Sequence, residues 1–245
     1  MTEKHLSSQF DSDLNGVSSQ LMEMGGLVET QIQHAIAALA NFSTTLAEQV
    51  IEAEEKVNAL EIAIDHSLTA VVARRQPAAR DLRLLLAISK ITTNLERTGD
   101  EAHKIAWRVK SIVESGEARR MPIGDLRVAS DLAASLLHRA LDAFVRLDVA
   151  TAMTILKEDD LIDNEFKGFT RKLITYMMED PRTISSSLDL LFIAKAIERI
   201  GDHAKNVAEF IIYIVNGTDV RHSPLTRSSR SSAEPVAITD QPVAP

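Results

Sequence analysis

The chain has 245 residues, of which 45% are hydrophobic, 25% charged and only 4% aromatic, and its formal net charge is −8. An acidic chain repels phosphate backbones and anionic lipid headgroups, which sets nucleic acid and direct membrane binding aside for the folded part. There is no cysteine, so disulfides, thiolate zinc sites and cysteine nucleophiles are excluded.

Met1 to Asn15 is polar and lacks an apolar signal segment, so the expected location is the cytoplasm. From there to Val215, apolar residues recur at helical spacing. A first stripe runs Leu14, Val17, Leu21, Met24, Val28, Ala35, Leu39, Phe42. Asn41 to Thr44 interrupts it with Ser and Thr, and a second stripe follows at Leu46, Val50, Val57, Leu60, Ile64, Leu68, Val71. Gln76-Pro77 stops that helix and opens the next, because proline is tolerated in a first helical turn. The third seam is unbroken: Ile88, Ile91, Leu95, Thr98, Ala102, Ile105, Val109, Ile112. Its steps alternate three and four, the mark of a long helix packed in a bundle.

Ser115-Gly116 ends the third helix, and Met121-Pro122-Ile123-Gly124-Asp125 reads as the mid-chain linker. Three more helical stretches follow, over 125–147, 149–179 and 181–215. Beyond Asn216, Ser, Pro, Thr and Arg dominate, and 216–245 reads as a disordered polar tail.

The two halves repeat one another. Ala35 pairs with Ala140, Val50 with Ile155 and Val57 with Ile162, a constant spacing of 105. In the third helix the spacing is 102, and the seam maps onto Leu190, Ile193, Ile197, Ile200, Ala204, Val207, Ile211, Ile214. The residues beside the seam repeat as well: Glu96-Arg97-Thr98-Gly99-Asp100 against Glu198-Arg199-Ile200-Gly201-Asp202. The fold class is therefore all-α: two tandem three-helix bundles related by a pseudo-twofold axis. Residues 1–118 form the first repeat, 119–215 the second and 216–245 the tail. Helices of roughly 30–35 residues would be about 45–50 Å long.

Glu96 and Asp100 are four residues apart, as are Glu198 and Asp202, so each pair shares one helix face. Two acids that close need a cation, an arginine or solvation to offset their repulsion. One reading is a metal site of oxygen ligands, with Glu54, Asp159 or Asp163 of the second helices completing the shell. The other is a solvated acidic face with intrahelical pairs to Arg97 and Arg199. Gly99 and Gly201 lie inside the motif, where glycine costs about 0.5–1 kcal/mol relative to alanine. A cost repeated at both positions points to a steric purpose.

His103 gives one Asp-x-x-His step from Asp100, and His203 directly follows Asp202; a di-iron oxidase bundle needs Glu-x-x-His on two helices, and no such pair is present. His34 and His138 read as packing or surface residues, Trp107 and the methionines as core or interface. No phosphate loop, dinucleotide fingerprint or nucleophile elbow occurs, so no enzyme is expected.

Two three-helix repeats, each with E-R-x-G-D on its last helix, resemble the PhoU family of phosphate-transport regulators. Met24-Gly25-Gly26-Leu27-Val28-Glu29 resembles the family's first-helix signature, and Gln76-Pro77 with Asp81-Leu82-Arg83 its start of helix three. Leu137 to Phe144 and Asp202 to Glu209 resemble the beginning and end of the second repeat. The resemblance covers about Leu6 to Val215. It implies a cytoplasmic negative regulator of phosphate-starvation genes, contacting a transporter ATPase subunit and a sensor histidine kinase, with membrane association only through those partners. A homodimer is the expected assembly. The resemblance also implies metal ligands Glu96, Asp100, Glu198 and Asp202, with iron, zinc, magnesium or manganese as the candidate ions. Three departures stand out: Glu101 where the family often has His, Asn94 where it often has Asp, and the polar tail. The alternatives from other classes are a metal-storing or metal-reactive bundle and a structural dimerisation module.

Overall fold

A computed structural model describes residues 8–77, 79–116 and 122–220. Six long helices occupy nearly all of them: α1 Ser8–Asn41, α2 Thr44–Arg75, α3 Ala79–Glu114, α4 Gly124–Arg146, α5 Val149–Glu179 and α6 Ile184–Asn216. A 3₁₀ turn at Pro181–Thr183 precedes α6. The expected repeat is present as two three-helix bundles, α1–α3 and α4–α6. Met121 and the segment 221–245, which holds most of the expected tail, lie outside the described residues. Of the tail's start, Gly217 caps α6 with a left-handed φ of 71° and Val220 packs against the core.

The turns show why the halves fold alike. Ser43 caps α2 by accepting from the Leu46 amide at 3.3 Å, and Asp148, 105 residues on, caps α5 by accepting from the Thr151 amide at 3.1 Å. Just before them Phe42 (φ 49°) and Leu147 (φ 50°) both adopt the left-handed conformation. In each turn the next amide reaches back to a helix carbonyl, Ser43 to Ala38 at 3.0 Å and Asp148 to Ala143 at 2.9 Å. This is the six-to-one bond that closes a helix end. The same local chemistry thus turns the chain twice.

Both third-helix seams are buried along their whole length, from Ile88 to Ile112 and from Leu190 to Ile214. Burying each such side chain contributes about 1.5–3 kcal/mol, so the seams hold the two bundles to one continuous core. α3 and α6 run antiparallel against each other. Asn206 donates to Asn94 at 2.9 Å, Arg199 to Glu101 at 3.1 Å, and Arg108 to Asp189 at 2.8 Å. The first two contacts flank the level of Gly99 and Gly201, which places the motifs near the pseudo-twofold axis. On another side α1 meets α4, where a Cβ on Gly25 would stand 2.9 Å from Leu141 and His138 bonds Glu29 at 2.8 Å.

Candidate functional site: paired carboxylate clusters on the central helices

Each motif faces the second helix of its own repeat. A Cβ on Gly99 would stand 3.0 Å from Gln31 Oε1 and 3.5 Å from Glu54 Oε2. A Cβ on Gly201 would stand 2.6 Å from Ile162 Cδ1 and 3.6 Å from Asp159 Oδ1. The glycines therefore let α2 and α5 approach, and they bring a second-helix carboxylate up to each motif. Glu54 joins Glu96 and Asp100, and Asp159, with Asp163, joins Glu198 and Asp202.

In the first cluster, burial raises the pKa of Glu54; the Gln31 amide opposes this, and Asp100, by charge and by sharing a proton with Glu54, and Glu96 add to it. Burial first, then Asp100 and Glu61, raises Glu96, with Arg97 and Lys104 opposing from a distance. Burial and Asp65 raise Glu61. Among the described residues, no salt bridge neutralises Glu54, Glu61, Glu96 or Asp100. Gln31 is only 2% exposed and donates to Glu54 Oε2 at 3.1 Å and to the Val50 carbonyl at 3.3 Å. Its own Oε1 is buried without a partner, and so is Glu54 Oε1. Orphaned buried oxygens beside repelling carboxylates are the donor set a hard cation takes. Glu54, Glu96, Asp100 and the Gln31 carbonyl therefore fit a metal ion in kind. In the described conformation no three acidic or histidine side chains converge into a closed shell, so loading would draw these carboxylates inward.

The second cluster has the same backbone and different surroundings. Lys205 donates to Asp159 at 2.6 Å, and Lys195 bonds Glu198. Burial works against the Lys205 ammonium, but its bond to Asp159 and the pull of Asp159, Glu209 and Asp202 hold its pKa above the ordinary lysine value. Asp159 is raised by burial, with Lys205 opposing. Burial, followed by Glu198, Asp159 and Asp163, raises Asp202 to about 6.

Between the motifs α3 and α6 form a cleft lined by Arg97, Asp100, Glu101, Lys104, Arg199, Asp202, His203 and Asn206. Arg199 does not pair within its own helix as the solvated-face reading had it; it crosses the axis to Glu101, which Lys104 also meets at 2.9 Å. Glu101 stands where the family often has His, and it serves as the acceptor tying the repeats together. His203 bonds Asn94 at 3.2 Å, and burial, with Glu101 opposing and Arg97 and Arg199 adding, lowers its pKa to about 4. A ring held neutral and turned to Asn94 works as a bridge between helices. His138 is at the surface, as one of its two readings had it, with its side chain 66% exposed.

The sequence reading missed one surface feature. Trp107 is 54% exposed and Phe192 is 52% exposed, and the Arg108 guanidinium lies 4.9 Å from the first ring centroid and 4.5 Å from the second. Residue 107 falls between the seam positions 105 and 109, which puts it on the outer face. That phase was the available signal for the interface reading over the core one.

Fold and site together define a class: a two-repeat helical bundle with a duplicated carboxylate motif at its pseudo-twofold axis. The PhoU domain family matches residues 21–109 and 126–211. A phosphate-specific transport system accessory protein PhoU homolog from Burkholderia sp is 52% identical over 223 residues, covering 91% of this chain and 95% of that protein. The phosphate-specific transport system accessory protein PhoU of Escherichia coli K12 is 45% identical over 220 residues, covering 89% and 90%. The crystal structure of PhoU from Pseudomonas aeruginosa superposes with a TM-score of 0.83 at 44% identity, covering 85% of this chain and 100% of that one. The chain belongs to the PhoU family. Its likeness is to accessory and regulatory proteins of phosphate transport, and no described helix is long and apolar enough to cross a membrane.

Proposed function

We propose that the chain is a non-enzymatic adaptor that represses the phosphate-starvation response when phosphate is plentiful. It links the ATPase subunit of a phosphate transporter to a sensor histidine kinase on the cytoplasmic side, and it meets the membrane only through them. The observation that carries this reading, beyond the family itself, is the outer ridge of Trp107, Arg108 and Phe192. Exposed Trp and Arg in contact are the residue types that dominate protein interfaces, and a half-exposed Trp–Phe pair is poorly accounted for by the chain's own core. The carboxylate clusters share this central helix pair, so a bound cation would stiffen the surface the partners meet. Glu96 and Asp100 in the first cluster, and Glu198 and Asp202 in the second, are the candidate ligands, and the ion class is a divalent or trivalent metal with oxygen preference. Homodimerisation is a further element of the proposal.

The test is deletion of the gene, followed by measurement of phosphatase reporter output in phosphate-replete medium. Deletion should raise output, the returned chain should silence it, and the Trp107→Ala/Phe192→Ala chain should fail to silence it while remaining folded. Unchanged output on deletion would remove the phosphate-signalling reading.

A further inference from the structure

The repeats share motif and spacing, yet the groups around their motifs differ at five matched positions, one of them Thr93 against Lys195. Gln31 of the first repeat, with its orphaned carbonyl oxygen, corresponds to the buried, apolar Leu136 of the second. Glu54 corresponds to Asp159, one methylene shorter. Glu61 corresponds to Phe166, over whose ring the Lys195 ammonium lies at 5.3 Å while it also bonds Glu198. His103 corresponds to Lys205, whose ammonium sits 2.6 Å from the buried Asp159 carboxylate. The second cluster thus carries two ammonium ions of its own. The first has none paired to its acids, and it keeps two buried oxygens, on Gln31 and Glu54, without partners.

We infer that the two repeats are unequal toward cations: the first cluster takes up a hard divalent ion, while in the second the Lys205 ammonium occupies the role of that ion. The inference rests on the cation reading proposed above and sharpens it to one repeat. Charge explains the exclusion. An ion entering the second cluster must displace Lys205 from Asp159 and leave an ammonium without its partner, whereas an ion entering the first satisfies oxygens that have no partner. Gln31 adds a neutral oxygen donor that Leu136 cannot supply.

The test uses the full chain stripped with chelator and titrated with Mn²⁺, with free ion read by electron paramagnetic resonance and bound ion counted after desalting. Wild type should bind Mn²⁺, and Glu54→Gln or Gln31→Leu should weaken that binding at least tenfold. Lys205→Met should add a second increment of bound Mn²⁺. The reciprocal His103→Lys, which places an ammonium in the first repeat and leaves the second untouched, should abolish binding in a chain whose helical circular dichroism is unchanged. That variant keeps the test decisive if Lys205→Met does not fold. Binding by wild type that survives Glu54→Gln and His103→Lys would overturn the inequality and leave the cation reading in place. No binding of Mn²⁺ by wild type would overturn both.

Discussion

The first and second carboxylate clusters make a natural experiment. Both are built by an E-R-x-G-D turn whose glycine faces the preceding helix, and both receive a further acid from that helix. They differ in what neutralises them. In the second, Lys205 and Lys195 reach in from positions three residues away from Asp202 and Glu198. In the first, those positions hold His103 and Thr93; Arg97 and Lys104 act on the acids only from a distance, and no ammonium is bonded to them among the described residues. A motif therefore fixes where carboxylates point, and residues outside it decide whether they form a salt-bridge network or a site that needs an ion.

Three sets of substitutions probe the comparison in order of expected size. The largest effect belongs to Lys205→Met in chelated protein near neutral pH. It leaves Asp159, whose side chain is 5% exposed, without its cation. The loss should be about 2–3 kcal/mol, less than for a fully buried pair because Lys205 keeps some solvent contact. A fall in Tm of about 5–10 °C is the readout, and Asp159→Asn on the same background should recover part of it. An unchanged Tm would mean that the pair contributes nothing to holding α5 on α6.

The glycines come next. Gly201→Ala drives a methyl group to 2.6 Å from the Cδ1 methyl of Ile162, whose side chain is buried in the core and has little room to give. Overpacking of about 1–3 kcal/mol outweighs the roughly 1 kcal/mol of helix propensity gained. Gly99→Ala meets the amide end of Gln31 at 3.0 Å and should come out near neutral in stability. It should disturb the first cluster instead, visible as weaker Mn²⁺ binding. Equal destabilisation by the two changes in thermal melts would argue that the glycines serve the same role.

The smallest effect is on the pH profile and tests the cleft. Asp202, raised to about 6, keeps a proton in the folded state between about pH 6 and its ordinary value near 3.8. The unfolded chain has lost that proton, so acidification through this window favours folding. His203, lowered to about 4, stays neutral in the folded state while the unfolded chain protonates below 6.5, so the same acidification disfavours folding. The two oppose one another, each by about 1–2 kcal/mol after solvent screening. Asp202→Asn should make Tm fall more steeply from pH 6.5 to 4.5, and His203→Gln should make it fall less. Parallel profiles for both variants would contradict the assignment.

Much of this was legible in the sequence because one physical rule governs it. Apolar residues stepping by three and four bury one helix face, and every member of the 88–112 and 190–214 seams is buried. The repeat could be read because its apolar positions recur at constant spacing and E-R-x-G-D occurs on both third helices; the structure adds that Ser43 and Asp148 cap the matched turns. Helical phase puts Glu54 and Asp159 on the sides of α2 and α5 that face the motifs, which is where the structure has them. What could not be read from helix phase was long-range pairing of charge. Arg199 reaches across the axis to Glu101, Lys205 turns to Asp159 on another helix, and Gln31 arrives from a third. Each contact depends on the crossing of helices distant in sequence. The outward phase of Trp107 was visible, but its stacking on Arg108 beside Phe192 was not, because those partners lie on two helices.

The most direct test of the unequal clusters is a crystal structure of the chain grown with Mn²⁺, with anomalous scattering collected to locate the ion. The account predicts anomalous density among Glu54, Glu96, Asp100 and the Gln31 carbonyl, and Lys205 still seated on Asp159. Density of equal strength between Asp159, Glu198 and Asp202, with Lys205 swung away, would contradict it.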